Sequence, residues 1–392
     1  MTNTPPSHPA DVGGQAQPLL RVRRLRKHFP LKSSLFGPRK VVRAVDDVEF
    51  DVLKGETLGV VGESGCGKST TARLLMQLTP ADSGEFIFDG QAIGGRELPL
   101  KEFRRQAQIV FQDSFASLNP RLTVLDSIAF GPQVHGISGP DARKLAQDLL
   151  DRVGLDPVRF GGRYPHELSG GQRQRINIAR ALALNPRLVV LDEAVSALDK
   201  SVEAQVLNLL QDLKQSFGLT YVFISHDLNV VRYMSDRVMV MYLGEVVEIG
   251  DSESLFADPR HPYTQALLSS IPSMDPDHRT EVPALSGDPP NPINPPPGCR
   301  FHTRCAQAST ICQQQVPALT SVSPHQRVAC HLHIRGSGHP QAYPTTSRGD
   351  LNGPASADSA QAAHAAHAAH AAHAAQVAHS VSVAPQTLGG VS

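Results

Sequence analysis

Three things are scarce in this 392-residue chain, and each scarcity closes off a class of function. Net charge is absent: Lys and Arg total 37, as do Asp and Glu. No global field therefore draws the chain to nucleic acid or to an acidic partner. Long apolar runs are absent too. None approaches the length of a membrane span, and the N-terminus lacks a charged-then-apolar signal segment, so a cytoplasmic protein is expected. Cysteine is sparse and uneven: of five, Cys66 stands alone and the other four fall between 299 and 330. In a cytosolic chain such a cluster suggests metal rather than disulfides. The hydrophobic content of 40% is ordinary for a protein with real cores, and the length allows two or three domains.

What is present is organised around Leu58 to Arg73, LGVVGESGCGKSTTAR. A short apolar run reads as a buried strand. It breaks into Gly62-Glu63-Ser64-Gly65-Cys66-Gly67-Lys68-Ser69, and Thr70 to Leu78 has helical spacing. Strand, glycine-rich turn and helix together make the G-x-x-x-x-G-K-[ST] pattern a phosphate cradle. The glycines let backbone N–H groups crowd round a polyphosphate, and the helix N-terminus adds donors and a favourable dipole. Lys68 reaches toward the β/γ-phosphates, and Ser69 offers its hydroxyl to Mg²⁺. The chain is expected to bind a nucleoside triphosphate. Cys66, at a helix N-terminus beside Lys68, is expected to have a lowered pKa and a reactive thiol that bound ATP protects.

Residues 1 to about 17 have a disordered composition. Leu20 to Phe29 and Ala44 to Val52 alternate like strands, and Gly84 to Phe88 reads as another. Between the first two, the polar loop Lys32 to Lys40 carries one aromatic, Phe36, a candidate to stack on a base. Ile109-Val110-Phe111 ends in Gln112. From 113 to about 177 helical periodicity replaces strands, as in Ser127 to Phe130 and Lys144 to Val153, which reads as an inserted helical subdomain. It closes on Leu168-Ser169-Gly170-Gly171-Gln172 before a helix from Arg173 to Leu184, a second anion site. Leu188 to Leu191 is an apolar strand ending in Asp192 and Glu193, placed to hold Mg²⁺ and to polarise a water respectively. A turn ending at Asp199, a helix from Ser201 to Phe217, and a strand from Thr220 to Ile224 lead to Ser225-His226-Asp227.

In this order and at this spacing, residues about 18 to 260 resemble the nucleotide-binding domain of an ABC transporter. The resemblance implies an α/β P-loop NTPase core with an antiparallel β subdomain and the inserted helical subdomain. It also implies ATP and Mg²⁺ as ligands. By matching motif, Gly62 to Thr70 form the Walker A loop, Gln112 the Q-loop and Asp192 the end of Walker B. Ser69, Gln112 and Asp192 then surround Mg²⁺, Glu193 is the general base, and His226 is the switch histidine contacting the γ-phosphate. Ser169, Gly170 and Gly171 belong to the signature loop and Asp199 to the D-loop. Two such domains pair head-to-tail, so the implied partners are a second ATPase subunit, identical or paralogous, two membrane permeases and an extracytoplasmic solute-binding protein. The implied location is the cytoplasmic face of the membrane. A DNA- or ribosome-associated ATPase is the rival reading, against which stand a single domain and no long heptad run. A subunit that binds ATP without hydrolysing it is a second rival, opposed by an intact Glu193 and His226.

Downstream, His261-Pro262-Tyr263-Thr264-Gln265-Ala266-Leu267-Leu268, the run PPNPINPPPGCRFHTRC, and Ser117-Leu118-Asn119-Pro120-Arg121 resemble the oligopeptide and dipeptide importer ATPases. Residues 261–335 form that region, a small Cys-containing extension. Peptide cargo is implied, with nickel or another small solute as the alternative. Cys299, Cys305, Cys312 and Cys330 are separated by five, six and seventeen residues. The segment is too short for its own core and is expected to need a staple. A [4Fe–4S] cluster, a zinc ion with His302, His331 or His333 assisting, and reduced thiols are the open readings. The lack of a Cys-x₂₋₄-Cys knuckle disfavours zinc. The resemblance also favours the cluster, since some peptide-importer ATPases carry one. Its role is expected to be structural, because it is remote in sequence from every ATP-handling motif. Residues 336–392 are expected to form a disordered Ala/His-rich tail in which His364, His367, His370 and His373 recur every third position, with His379 beyond. Such imidazoles bind Zn, Ni or Cu on one helix face, although low-complexity drift explains the run as well.

Overall fold

The apolar side chains of Leu20, Val22 and Leu25, and of Val45, Val48, Phe50 and Val52, are buried along two long strands, β1 (Leu20–Pro30) and β2 (Val41–Val52). These pair antiparallel. The next strand, β3 (Thr57–Val61), is buried at every position, as a strand covered on both faces must be. β4 (Ser83–Phe88) and β5 (Gln91–Ala92) complete a four-stranded antiparallel sheet in the order β2-β1-β4-β5. The remaining strands are β6 (Ala107–Val110), β7 (Leu188–Asp192), β8 (Thr220–Ile224), β9 (Arg237–Tyr242), β10 (Glu245–Asp251), β11 (Thr320–Ser323) and β12 (Gln326–Val328). They join β3 in an eight-stranded sheet ordered β11-β12-β10-β9-β3-β8-β7-β6. Its β6 to β9 half is parallel, and β10, β12 and β11 continue it antiparallel. This computed structural model describes residues 11, 14, 17–31, 40–271 and 287–342. The expectations for Phe36, for most of the first 17 residues and for the histidine tail from 343 onward lie outside them.

Strand alternation divides the core in two. Val189, Leu191, Tyr221, Phe223, Val238 and Val240 face one side of the large sheet. Val190, Val222, Ile224, Met239 and Met241 face the other, against the small sheet and the helix Lys68–Leu75. The first side is covered by helices Gly170–Leu182 and Lys200–Phe217 and continues into the helical insert. In that insert Val124–Val134 and Gly139–Arg152 start on the side-chain caps of Thr123 and Ser138 and bury Ile128, Ala142, Ala146 and Leu149. The helix expected from Arg173 begins earlier, at Gly170, so both signature glycines lie in its first turn.

The C-terminal segment has only a small core of its own, Val328, Cys330 and Leu332. β12 pairs with β10 and extends the large sheet. Phe301 joins the main core, and the Arg300 guanidinium is buried against Asp46, Glu245 at 2.8 Å and the Leu243 carbonyl. Packing onto the existing sheet gives this short segment support beside any staple.

Candidate active site

Four carboxyl ends of parallel strands converge on one region, the place where open α/β sheets bind ligands. β3 leads into the phosphate loop, β7 into Asp192 and Glu193, β8 into His226, and β6 into Gln112. The order β3-β8-β7-β6 places these ends side by side.

The loop is gripped from two directions. A Cβ on Gly62 would lie 2.2 Å from the Met241 carbonyl oxygen, and one on Gly67 2.3 Å from the Ala44 carbonyl oxygen. Both glycines also have φ in the left-handed half, at 149° and 111°. Ser64 and Gly65 form the exposed crest. The buried Lys68 folds back under the loop, its Nζ donating to the carbonyls of Gly62 (2.6 Å) and Glu63 (3.1 Å). An ammonium held by two neutral carbonyls keeps its whole charge for an incoming anion. Ser69 Oγ donates to Asp192 Oδ1 at 3.0 Å, joining Walker A to Walker B directly. Thr70 follows in the first turn of the same helix.

Burial pushes the Asp192 carboxyl up from the ordinary range, against the hydrogen bond from Ser69, and the adjacent Glu193 charge adds to the rise. A buried carboxylate beside a hydroxyl and a second acid is a donor set suited to a hard divalent cation, which would offset that cost. Glu193 stands just beyond β7 with φ of 48°, a left-handed conformation uncommon outside glycine. Its amide donates to the Ile224 carbonyl at 3.0 Å. Gln112 Nε2 donates to Glu193 Oε2 at 3.0 Å, and His226 Nδ1 lies 3.4 Å from the same oxygen. Lys68, Ser69 and Asp192 thus form one cluster, and Gln112, Glu193 and His226 the adjoining one.

The signature residues share none of these bonds. Ser169 is exposed and caps helix Gly170–Leu182 in a reciprocal box, its Oγ accepting from the Gln172 amide (3.3 Å) while Gln172 Oε1 accepts from the Ser169 amide (3.0 Å). Gly171 is needed for close approach, since a Cβ there would meet Val202 at 2.5 Å. Asp199 is exposed at the start of Lys200–Phe217.

One expectation is corrected, and one contact is new. Cys66 is 3% exposed, and burial pushes its thiol up, with the Lys68 charge only partly opposing that. Desolvation wins over the helix terminus, so the thiol is neither acidic nor presented to solvent. The C-terminal segment, remote in sequence, touches an ATP motif in space. The Arg304 guanidinium makes a forked ion pair with the Glu63 carboxylate (2.7 and 3.1 Å), and Tyr263 Oη accepts from the Glu63 amide at 2.9 Å. Neither residue was reached from the sequence, although both lie in its two subfamily segments.

Cys299, Cys305, Cys312 and Cys330 line a single cavity with Phe301, Leu332 and several histidines. Burial pushes the thiols of Cys299 and Cys330 up to about 12. Among the described residues, no three His, Cys, Asp or Glu side chains converge closely enough to hold one metal ion.

The ABC transporter family profile matches residues 45–196, and the oligopeptide/dipeptide transporter C-terminal region matches 247–312. The oligopeptide transport ATP-binding protein AppF of Bacillus subtilis is 51% identical over 322 residues, which cover 80% of this chain and 97% of that protein. The chain belongs to the ABC transporter ATP-binding proteins. A probable peptide ABC transporter ATP-binding protein of Sinorhizobium fredii is 52% identical, over 80% of this chain and 90% of its own. Among solved structures, this ABC ATPase is similar to the dimeric post-hydrolysis cassette MJ0796 bound to ADP and Pi. That likeness has 30% identity and a TM-score of 0.52, covering 59% of this chain and 98% of that one. It is likewise similar to cbiO1 of Clostridium perfringens, with 26% identity and a TM-score of 0.53 over 62% and 92%.

Proposed function

We propose that this ABC ATPase energises the import of di- or oligopeptides as one of two ATPase subunits on the cytoplasmic face of the membrane. The observation that carries the catalytic half is the fixing of Glu193 by Gln112 and His226 next to the Ser69–Asp192 pair. Lys68 and the loop amides hold the phosphates, and Ser69, Asp192 and Gln112 would hold Mg²⁺, which would spread the phosphate charge when bound. Glu193 orients and deprotonates the attacking water, and His226 steadies the γ-phosphate. Ser169 and Asp199, which are exposed, with the half-buried Gly170 and Gly171, complete the site of a paired subunit. The peptide half rests on the similarity to peptide-transport ATP-binding proteins and on the C-terminal match. No helix among the described residues is long and apolar enough to cross a membrane. Docking therefore falls to a surface, and the helical insert offers one in Phe130 and Val158, 60% and 93% exposed. Purifying the tagged chain from membranes is expected to bring down two permeases and a second ATPase, encoded beside a peptide-binding protein. Recovery of the chain alone, or with nucleic acid, would contradict this.

For the cysteine cavity we propose a [4Fe–4S] cluster, which the four thiols would hold. A zinc ion, with Zn–S near 2.3 Å, needs sulfurs about 3.8 Å apart. Four thiols around one cavity, spaced by five, six and seventeen residues, are the donor set such a cluster needs. The cluster would act as a staple for the segment. Anaerobic purification is expected to yield about four iron and four sulfide per chain with visible absorption. One zinc and no sulfide would rule the cluster out.

A further inference from the structure

The loop that must receive a polyanion carries a carboxylate of its own. Glu63 lies in the Walker A turn, and its carbonyl accepts from Lys68 Nζ at 3.1 Å. A free negative charge at this place opposes ATP. In the structure it is not free. Arg304 forks onto both carboxylate oxygens, at 2.7 and 3.1 Å, with its own side chain 6% exposed. Tyr263, fully buried, receives the Glu63 amide proton on its hydroxyl at 2.9 Å. Both partners are braced: the Tyr263 ring packs on Tyr242 (centroids 4.6 Å) and Phe301 (5.4 Å), and Arg304 also reaches the Tyr242 hydroxyl at 3.4 Å. A planar guanidinium held this way fixes direction as well as charge.

We propose that Arg304 is a positioning residue for ATP binding, acting through Glu63: it neutralises the carboxylate and, with Tyr263, holds the phosphate loop in its receiving shape. The proposal rests on the ATPase reading above and gives the C-terminal extension a part in it. The extension closes the phosphate loop from behind.

The test is equilibrium binding of MgATP to the full-length chain. Arg304→Gln keeps a polar amide but removes the charge and the fork, and it is expected to raise the Kd for ATP about tenfold. Arg304→Lys, which keeps the charge, is expected to stay within about threefold of the wild type. Adding Glu63→Gln to Arg304→Gln removes the charge that was left uncompensated and is expected to recover most of the loss, which a role in folding alone would not produce. An unchanged Kd in Arg304→Gln overturns the proposal, as does a loss that neither Arg304→Lys nor the double substitution relieves. Absence of ATP binding by the wild type would sink the ATPase reading itself, whereas tight wild-type binding beside an indifferent Arg304 would sink only this inference.

Discussion

Glu193→Gln is expected to bind ATP as the wild type does and to hydrolyse it at least a hundredfold more slowly. The substitution preserves shape. A glutamine fits the same left-handed position after β7, and its amide oxygen still accepts from Gln112. It cannot take a proton from water, and no other carboxylate stands ready: Asp192 is engaged by Ser69 and buried. The binding elements, Lys68 and the loop glycines, form no bond with the Glu193 side chain. Binding and turnover should therefore separate, and ATP should trap the paired subunits closed. Phosphate release and nucleotide binding measured on one preparation check this. Turnover near the wild-type rate would remove Glu193 from the role of base.

Ser169→Arg is expected to spare the nucleotide site of its own chain and to cripple the one it completes. Losing the Ser169 cap costs about 1 kcal/mol, a minor change for a helix whose buried face carries Ile176, Ile178 and Leu182. The larger effect is steric and electrostatic. A long cation replaces a small hydroxyl at an exposed helix N-terminus that is to receive a phosphate, moving the donors that stabilise the transition state. Turnover by the assembled complex should fall about a hundredfold. ATP binding by the isolated chain should stay within about twofold of the wild type, since a 1 kcal/mol cost to a distant cap does not reach the loop. Equal losses in both assays would mean that Ser169 serves only its own fold.

Much of this could be read before any coordinates. The phosphate loop, β7 and β8 announce themselves because central parallel strands are continuously apolar and end in polar residues at the ligand side. Motif order assigns Gln112, Glu193 and His226 to one site, with Gln112 beside Ser69 and Asp192, but the contacts of Gln112 and His226 with Glu193 are seen only in the fold. What stayed hidden depends on contacts across great sequence distance. Glu63 and Arg304 are 241 residues apart. No local periodicity links them, and the arginine reads as one more basic residue in a Pro- and Cys-rich stretch. The strands β11 and β12 are three or four residues long and mostly polar, so only the pairing of β12 with β10 and of β11 with β12 defines them. Cys66 was misjudged for a different reason. A helix N-terminus lowers a thiol's pKa only where the thiolate stays solvated, and the turn that cradles phosphate buries this side chain against Gly62, whose Cβ would lie 2.7 Å from the sulfur.

Peptide accumulation in sealed vesicles bears most directly on the central claim. The vesicles would contain the full complex, with peptide-loaded binding protein on one side and MgATP on the side of this subunit. With the wild-type chain, accumulation should require ATP and rise with phosphate release. With Glu193→Gln it should stop while ATP remains bound. Peptide accumulation that continues in the Glu193→Gln complex, or ATP hydrolysis in the wild type that moves no peptide, would contradict the account.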